Sequence, residues 1–129
     1  MKYFFSLMMA ICLLSCDAQQ SSKQANANTP IYQDVNNQAA AALMEDRSNL
    51  QIIDVRTDDE VAEGMIDGAR QMDIYGDDFE ANLKTLDKNA PVLVYCRSGG
   101  RSQDAQDKME EMGFKEVYNL EDGYSGWKQ

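Results

Sequence analysis

PVLVYCRSGGRS, residues 91–102, passes from an apolar run into a glycine-rich turn, with a lone cysteine at the junction. Pro91 to Tyr95 is the most strand-like run in the chain, built of Val, Leu and Tyr without a charge. Gly99 and Gly100 let the backbone curl, and a helix is predicted to begin near Arg101 or Ser102. Ala105, Met109 and Met112 follow at i, i+4 and i+7, one helical face, which Gly113 closes.

Outward from this unit the pattern alternates. Ile31 to Val35 reads as a short strand. NNQAAAALMED, residues 36–46, reads as an alanine-rich helix with Ala39, Ala40, Leu43 and Met44 inward. QIIDV, residues 51–55, suits a buried strand. TDDE, residues 57–60, has Thr57 as N-cap and Glu60 three positions later, a capping box opening a short helix that Gly64 ends. ARQMDI, residues 69–74, reads as another strand, and Phe79, Leu83 and Leu86 share a helical face. KEVYNL, residues 115–120, is a last strand, and DGYSGWKQ, residues 122–129, is a terminal turn or helix that packs Trp127. Strand and helix alternating over 100 residues predict an α/β fold around a mostly parallel sheet. Sites in such sheets form at the carboxyl ends of strands, where Cys96 sits.

Cys96 has no histidine to deprotonate it, because the chain has none. That excludes Cys–His and Ser–His–Asp catalysis and a zinc site of the Cys/His type. No metal or cofactor is expected. The turn itself supplies the activation. Successive N–H groups curling around one centre make an anion nest, and the positive end of the next helix adds to it. A thiolate held there has a lowered pKa. The alternative, an inert cysteine ending a core strand, is opposed by two glycines and two arginines within six residues. A cysteine-dependent phosphatase would place arginine six positions after the cysteine. Here Arg101 is five after Cys96, and the sixth is Ser102.

The N-terminus carries a different message. Lys2 precedes an apolar or small run from Tyr3 to Leu14, too short for a bilayer span of roughly 20 residues but suited to a signal-peptide core. LLSC, residues 13–16, resembles a bacterial lipobox, which implies cleavage before Cys16 and lipidation of its thiol. Bulky Ile11 makes Cys12 a poorer candidate. The expected organisation is a lipoprotein signal peptide over 1–15, lipidated Cys16 and a flexible tether over 16–29, and one folded domain over 30–129. Cys96 is then the one free thiol of the domain, with no partner for a structural disulfide. Losing residues 1–15 removes Lys2 and no acid, so the formal charge moves from −10 to −11. That acidity opposes nucleic acid and anionic membrane surfaces as partners, leaving the lipid to make the membrane attachment. The expected location is the cell envelope, facing the periplasm or the outside.

Three stretches together carry a family resemblance: IIDVRTDDEVAEGMIDGARQMDI (52–74), VLVYCRSGGRS (92–102) and VYNLEDGYSGW (117–127). In order and spacing, residues 31–129 resemble a single rhodanese domain. The resemblance implies a five-stranded sheet flanked by helices on both faces and a sulfurtransferase that cycles through a Cys96 persulfide. A small anionic donor, thiosulfate or polysulfide, would supply sulfur to a thiol or cyanide acceptor. It further implies that backbone N–H groups from Arg97 through Ser98, Gly99, Gly100 and Arg101 to Ser102 cradle the sulfur. Arg97 and Arg101 would bind the donor. Asp54 and Arg56 would support the site from a neighbouring strand end, with Arg56 paired to Glu60 in a structural or a direct role. The six-residue loop from Cys96 to Arg101 is the family's sulfurtransferase length, shorter than in its phosphatase and arsenate-reductase relatives. Non-catalytic binding modules on this fold usually lack the cysteine kept here. Met65 and Asp67 replace a family histidine and proline, a change expected to bear on local stability more than on chemistry; Asp122 alters a glycine pair, and neither change touches the loop around Cys96. A monomer is expected.

Overall fold

The computed structural model describes residues 28–127. In chain order these form β1 (Ile31–Val35), α1 (Asn37–Asp46), β2 (Gln51–Asp54), α2 (Asp58–Ala62) and β3 (Arg70–Gln71), then α3 (Phe79–Leu83), β4 (Val92–Tyr95), α4 (Gly100–Glu111), β5 (Glu116–Leu120) and α5 (Gly123–Trp127). The strands make one sheet in the order β1-β5-β4-β2-β3, every pairing parallel. Parallel neighbours need crossovers, and a helix lies on each chain segment that links one strand to the next.

β4 is the middle strand and is buried on both faces, as its unbroken apolar run requires. Its side chains alternate. Val92, Val94 and Cys96 join Phe79, Leu83, Leu86, Ala105 and Met109 in one core layer, against α3 and α4. Leu93 and Tyr95 join Ala40, Tyr118 and Leu120 in the other, with Leu43, Tyr124 and Trp127 packed against it from α1 and α5. Each fully buried Val or Leu adds about 1.5–3 kcal/mol of transfer free energy. The period of two along β4 therefore fixes which helix layer Cys96 faces.

The helices start and stop for local reasons. Asn36 caps α1, accepting the Ala39 N–H at 2.9 Å. Ala39 itself is exposed, against the inward placement expected for it; Ala40 takes the buried position. The expected capping box is present at α2, where Glu60 accepts the Thr57 N–H at 3.1 Å. ARQMDI yields only the two-residue edge strand β3, after which Met72 and Ile74 still hydrogen-bond to Asp54 and Val55 carbonyls. Glu116 on β5 receives a bidentate ion pair from Arg47, both bonds 2.9 Å, which fastens the end of α1 to the sheet.

Candidate active site

Cys96 follows the last residue of β4 and is 1% exposed. Its Sγ accepts the Gly99 N–H at 3.2 Å and the Ser102 hydroxyl at 3.4 Å, and the backbone N–H groups of Ser98 and Ser102 lie near enough to favour its charged form. Burial pushes the thiol pKa up, but the Ser102 hydroxyl and the three backbone donors outweigh it. The net position is below the ordinary cysteine value. The donors turned on the sulfur thus lie at Ser98, Gly99 and Ser102, within the run from Arg97 to Ser102. Gly100 is the first residue of α4, a position earlier than the sequence placed the start.

Two close approaches shape the loop. Gly99, the N-cap of α4, has φ +98°, and a Cβ there would lie 2.2 Å from the Glu121 carbonyl oxygen. Gly123, at the start of α5, has φ +57°, and its Cβ would lie 2.4 Å from the Arg97 carbonyl oxygen. This contact brings two α5 amides onto the loop. Tyr124 N–H donates to the Cys96 carbonyl at 2.8 Å, and Ser125 N–H to the Arg97 carbonyl at 3.0 Å. With those carbonyls held by α5, the following N–H groups are free to turn toward the sulfur. The Gly99 carbonyl is fixed from the other side by Asn119 at the end of β5, at 3.3 Å.

The arginines converge on a residue assigned elsewhere by the sequence reading. Glu60 receives a bidentate pair from Arg101, both bonds 2.7 Å, and the Nε of Arg97 at 3.1 Å. Its carboxyl is held well below the usual carboxylate range, with Arg101 as the largest cause. Arg101 is raised in return, and its guanidinium lies 5.9 Å from the ring centroid of exposed Tyr75. The capping box identified Glu60 as a helix starter. Nothing local showed its reach to side chains 37 and 41 residues away.

Arg56 is a correction. It pairs with Asp54 rather than with the Glu60 carboxylate, through bonds of 2.7 to 3.1 Å, and meets Glu60 only at its backbone carbonyl, at 3.4 Å. The reason is the period of two: residues 54 and 56 lie on the same side of an extended backbone. Burial works against the Arg56 charge, and Asp54 outweighs it. The pair is buried, 0% and 3% exposed, and Arg56 also donates to the Gly64 carbonyl at 2.7 Å. Its guanidinium carbon sits 4.1 Å from the Tyr124 ring centroid. Asp54 and Arg56 thus sit behind the loop and meet it through Tyr124, whose N–H holds the Cys96 carbonyl. Cys16, the signal segment and most of the tether lie outside the described residues.

Residues 36–129 match the family model of the rhodanese-like domain. YtwF of Bacillus subtilis, a proposed sulfurtransferase, is 44% identical over 79 residues, 61% of this chain and 74% of that protein. The thiosulfate sulfurtransferase GlpE of Coxiella burnetii is 35% identical over 98 residues, 76% of this chain and 89% of that one. Among solved structures, a rhodanese-like domain protein of Staphylococcus aureus superposes with a TM-score of 0.67 at 28% identity, over 75% of this chain and 92% of its own. All-parallel sheet, cysteine-bearing loop and sequence relatives agree: the chain belongs to the rhodanese-like domain family.

Proposed function

We propose that the protein is a rhodanese-type sulfurtransferase, moving a sulfane sulfur from thiosulfate or a related donor to a thiophilic acceptor through a persulfide on Cys96. The observation that carries this reading is the Cys96 sulfur, buried at a strand end and ringed by N–H and O–H donors. A lowered pKa raises the thiolate fraction of Cys96 without a base. With thiosulfate, the thiolate attacks the outer sulfur, the S–S bond breaks, and sulfite leaves with the bonding pair. The product, Cys96–S–S⁻, carries its charge one bond farther out, within reach of the same loop. An acceptor thiolate or cyanide then attacks that outer sulfur and restores the Cys96 thiolate. Arg97, 60% exposed, and Arg101 are the cations placed to meet an anionic donor. The names of the relatives, sulfurtransferase and thiosulfate sulfurtransferase, support the same chemistry.

Intact mass spectrometry of residues 17–129 after incubation with thiosulfate tests the reading, with Cys96→Ser alongside. One added sulfur on the wild type only, lost to cyanide with thiocyanate formed, is the expected result. No added sulfur from thiosulfate, polysulfide or an alkyl persulfide would overturn it in favour of a binding module; phosphate release from an aryl phosphate would favour a phosphatase. The proposal includes monomeric action at the cell envelope through a lipid on Cys16. Full-length protein should partition with membranes and Cys16→Ser should not; equal partitioning would refute the anchor.

A further inference from the structure

Glu60 changes the charge arithmetic of the loop. Arg97 and Arg101 bring two positive charges, and Glu60, 14% exposed, sits against both. The Cys96 thiolate adds a second negative charge beside Arg101. The reactive loop therefore sums to zero before any donor arrives. Asp58 and Asp59 open α2 beside Glu60, and the whole chain carries a formal charge of −10. A dianion entering this site finds no net side-chain charge to attract it and must compete with Glu60 for the Arg101 fork, whose Nη1 and Nη2 are both engaged. A donor with one negative charge or none on its reacting group is spared most of that competition.

We infer that Glu60 is a specificity-determining residue, biasing the site toward donors whose reacting group carries at most one negative charge, of the alkyl persulfide class, over dianionic thiosulfate. The inference rests on the sulfurtransferase reading and narrows its donor. The step balances: Cys96–S⁻ attacks the outer sulfur of R–S–SH, the S–S bond breaks, RS⁻ leaves with the electron pair, and Cys96–S–SH remains. The thiolate RS⁻ leaves with a charge equal to that consumed.

Glu60→Gln tests it, because glutamine at this position preserves a capping-box residue while removing the charge. Steady-state rates are measured with thiosulfate and with hydroxyethyl persulfide. One unit charge a few ångströms from the donor in a partly solvated site corresponds to roughly a tenfold effect on affinity. The variant is expected to raise kcat/KM for thiosulfate about tenfold, through KM, and to change that for the persulfide, with at most half the charge, by about threefold or less. Equal changes for both donors would show Glu60 to be merely structural and overturn the inference. An independent readout comes from the wild type: kcat/KM for thiosulfate is expected to stay flat or rise with ionic strength, since no net attraction is being screened. A steep fall with salt would overturn the inference even if the variant did not fold. Failure of either donor to place sulfur on wild-type Cys96 is a different outcome; it removes the sulfurtransferase reading itself.

Discussion

Ser102→Ala isolates the part of one hydroxyl in the activation of Cys96. The Ser102 hydroxyl lies 3.4 Å from Sγ and 3.1 Å from the Gly99 carbonyl oxygen, and the side chain is fully buried. A hydroxyl has one proton to donate, so it serves one acceptor at a time. Facing a neutral thiol it satisfies the carbonyl; facing a thiolate it turns to the charged sulfur. The thiolate therefore gains only the difference between a charged and a neutral hydrogen bond, about 1 kcal/mol from typical values of each. Removing the hydroxyl should raise the Cys96 pKa by about half a unit to one unit. The assay is the rate of iodoacetamide alkylation against pH on residues 17–129, where Cys96 is the one thiol. Stability supplies a second readout. A pKa lowered in the fold means that the unfolded chain holds more protons between the native value and its own of about 8.5. Wild-type stability should rise with pH through that window, and the contribution is lost as pH falls through the native pKa. The variant should show a shallower rise. An unchanged or lower pKa would refute the part assigned to the hydroxyl. A rise of about two units or more would refute the competition with Gly99, since it requires the full charged bond.

Two further substitutions probe the supports of the loop. Gly123→Ala puts a Cβ within 2.4 Å of the Arg97 carbonyl oxygen at a φ of +57°. It should cost about 2 kcal/mol or more in urea unfolding and raise the Cys96 pKa by loosening the α5 amides from the loop; wild-type values for both would refute the close packing. Arg56→Ala leaves Asp54 buried without its cation, so about 3–5 kcal/mol should be lost at neutral pH, read by the same unfolding. A loss below about 1 kcal/mol would place the pair with weak surface ion pairs instead.

Much of the site was legible because its chemistry is local. The strand ending at Tyr95, the two glycines and the helix carrying Ala105 and Met109 follow one another within a few residues, and backbone preferences at that range act directly on neighbours. Arg56 was less legible. Glu60 on the adjoining helix was its expected partner, whereas an extended backbone brings residues two apart to one side and gave it Asp54. ARQMDI shows a similar limit. Its composition supports a strand, yet β3 pairs over only Ile53–Arg70 and Asp54–Gln71, and the extent of an edge strand depends on its neighbour.

Amino-acid order by itself determined the alternation of strands and helices, the capping box at Thr57 and a cysteine poised on a six-residue loop, because periodicity, capping and turn chemistry are properties of adjacent residues. The strand order β1-β5-β4-β2-β3 belongs to the tertiary structure. So does the meeting of α2, α4 and α5 around the end of β4. Glu60 acquires Arg97 and Arg101, and Tyr124 and Ser125 acquire the carbonyls of Cys96 and Arg97, only when those ends are packed together. Hydrogen bonds and charge pairs act over a few ångströms, so partners separated by tens of residues exist only once the sheet has brought their elements to one edge.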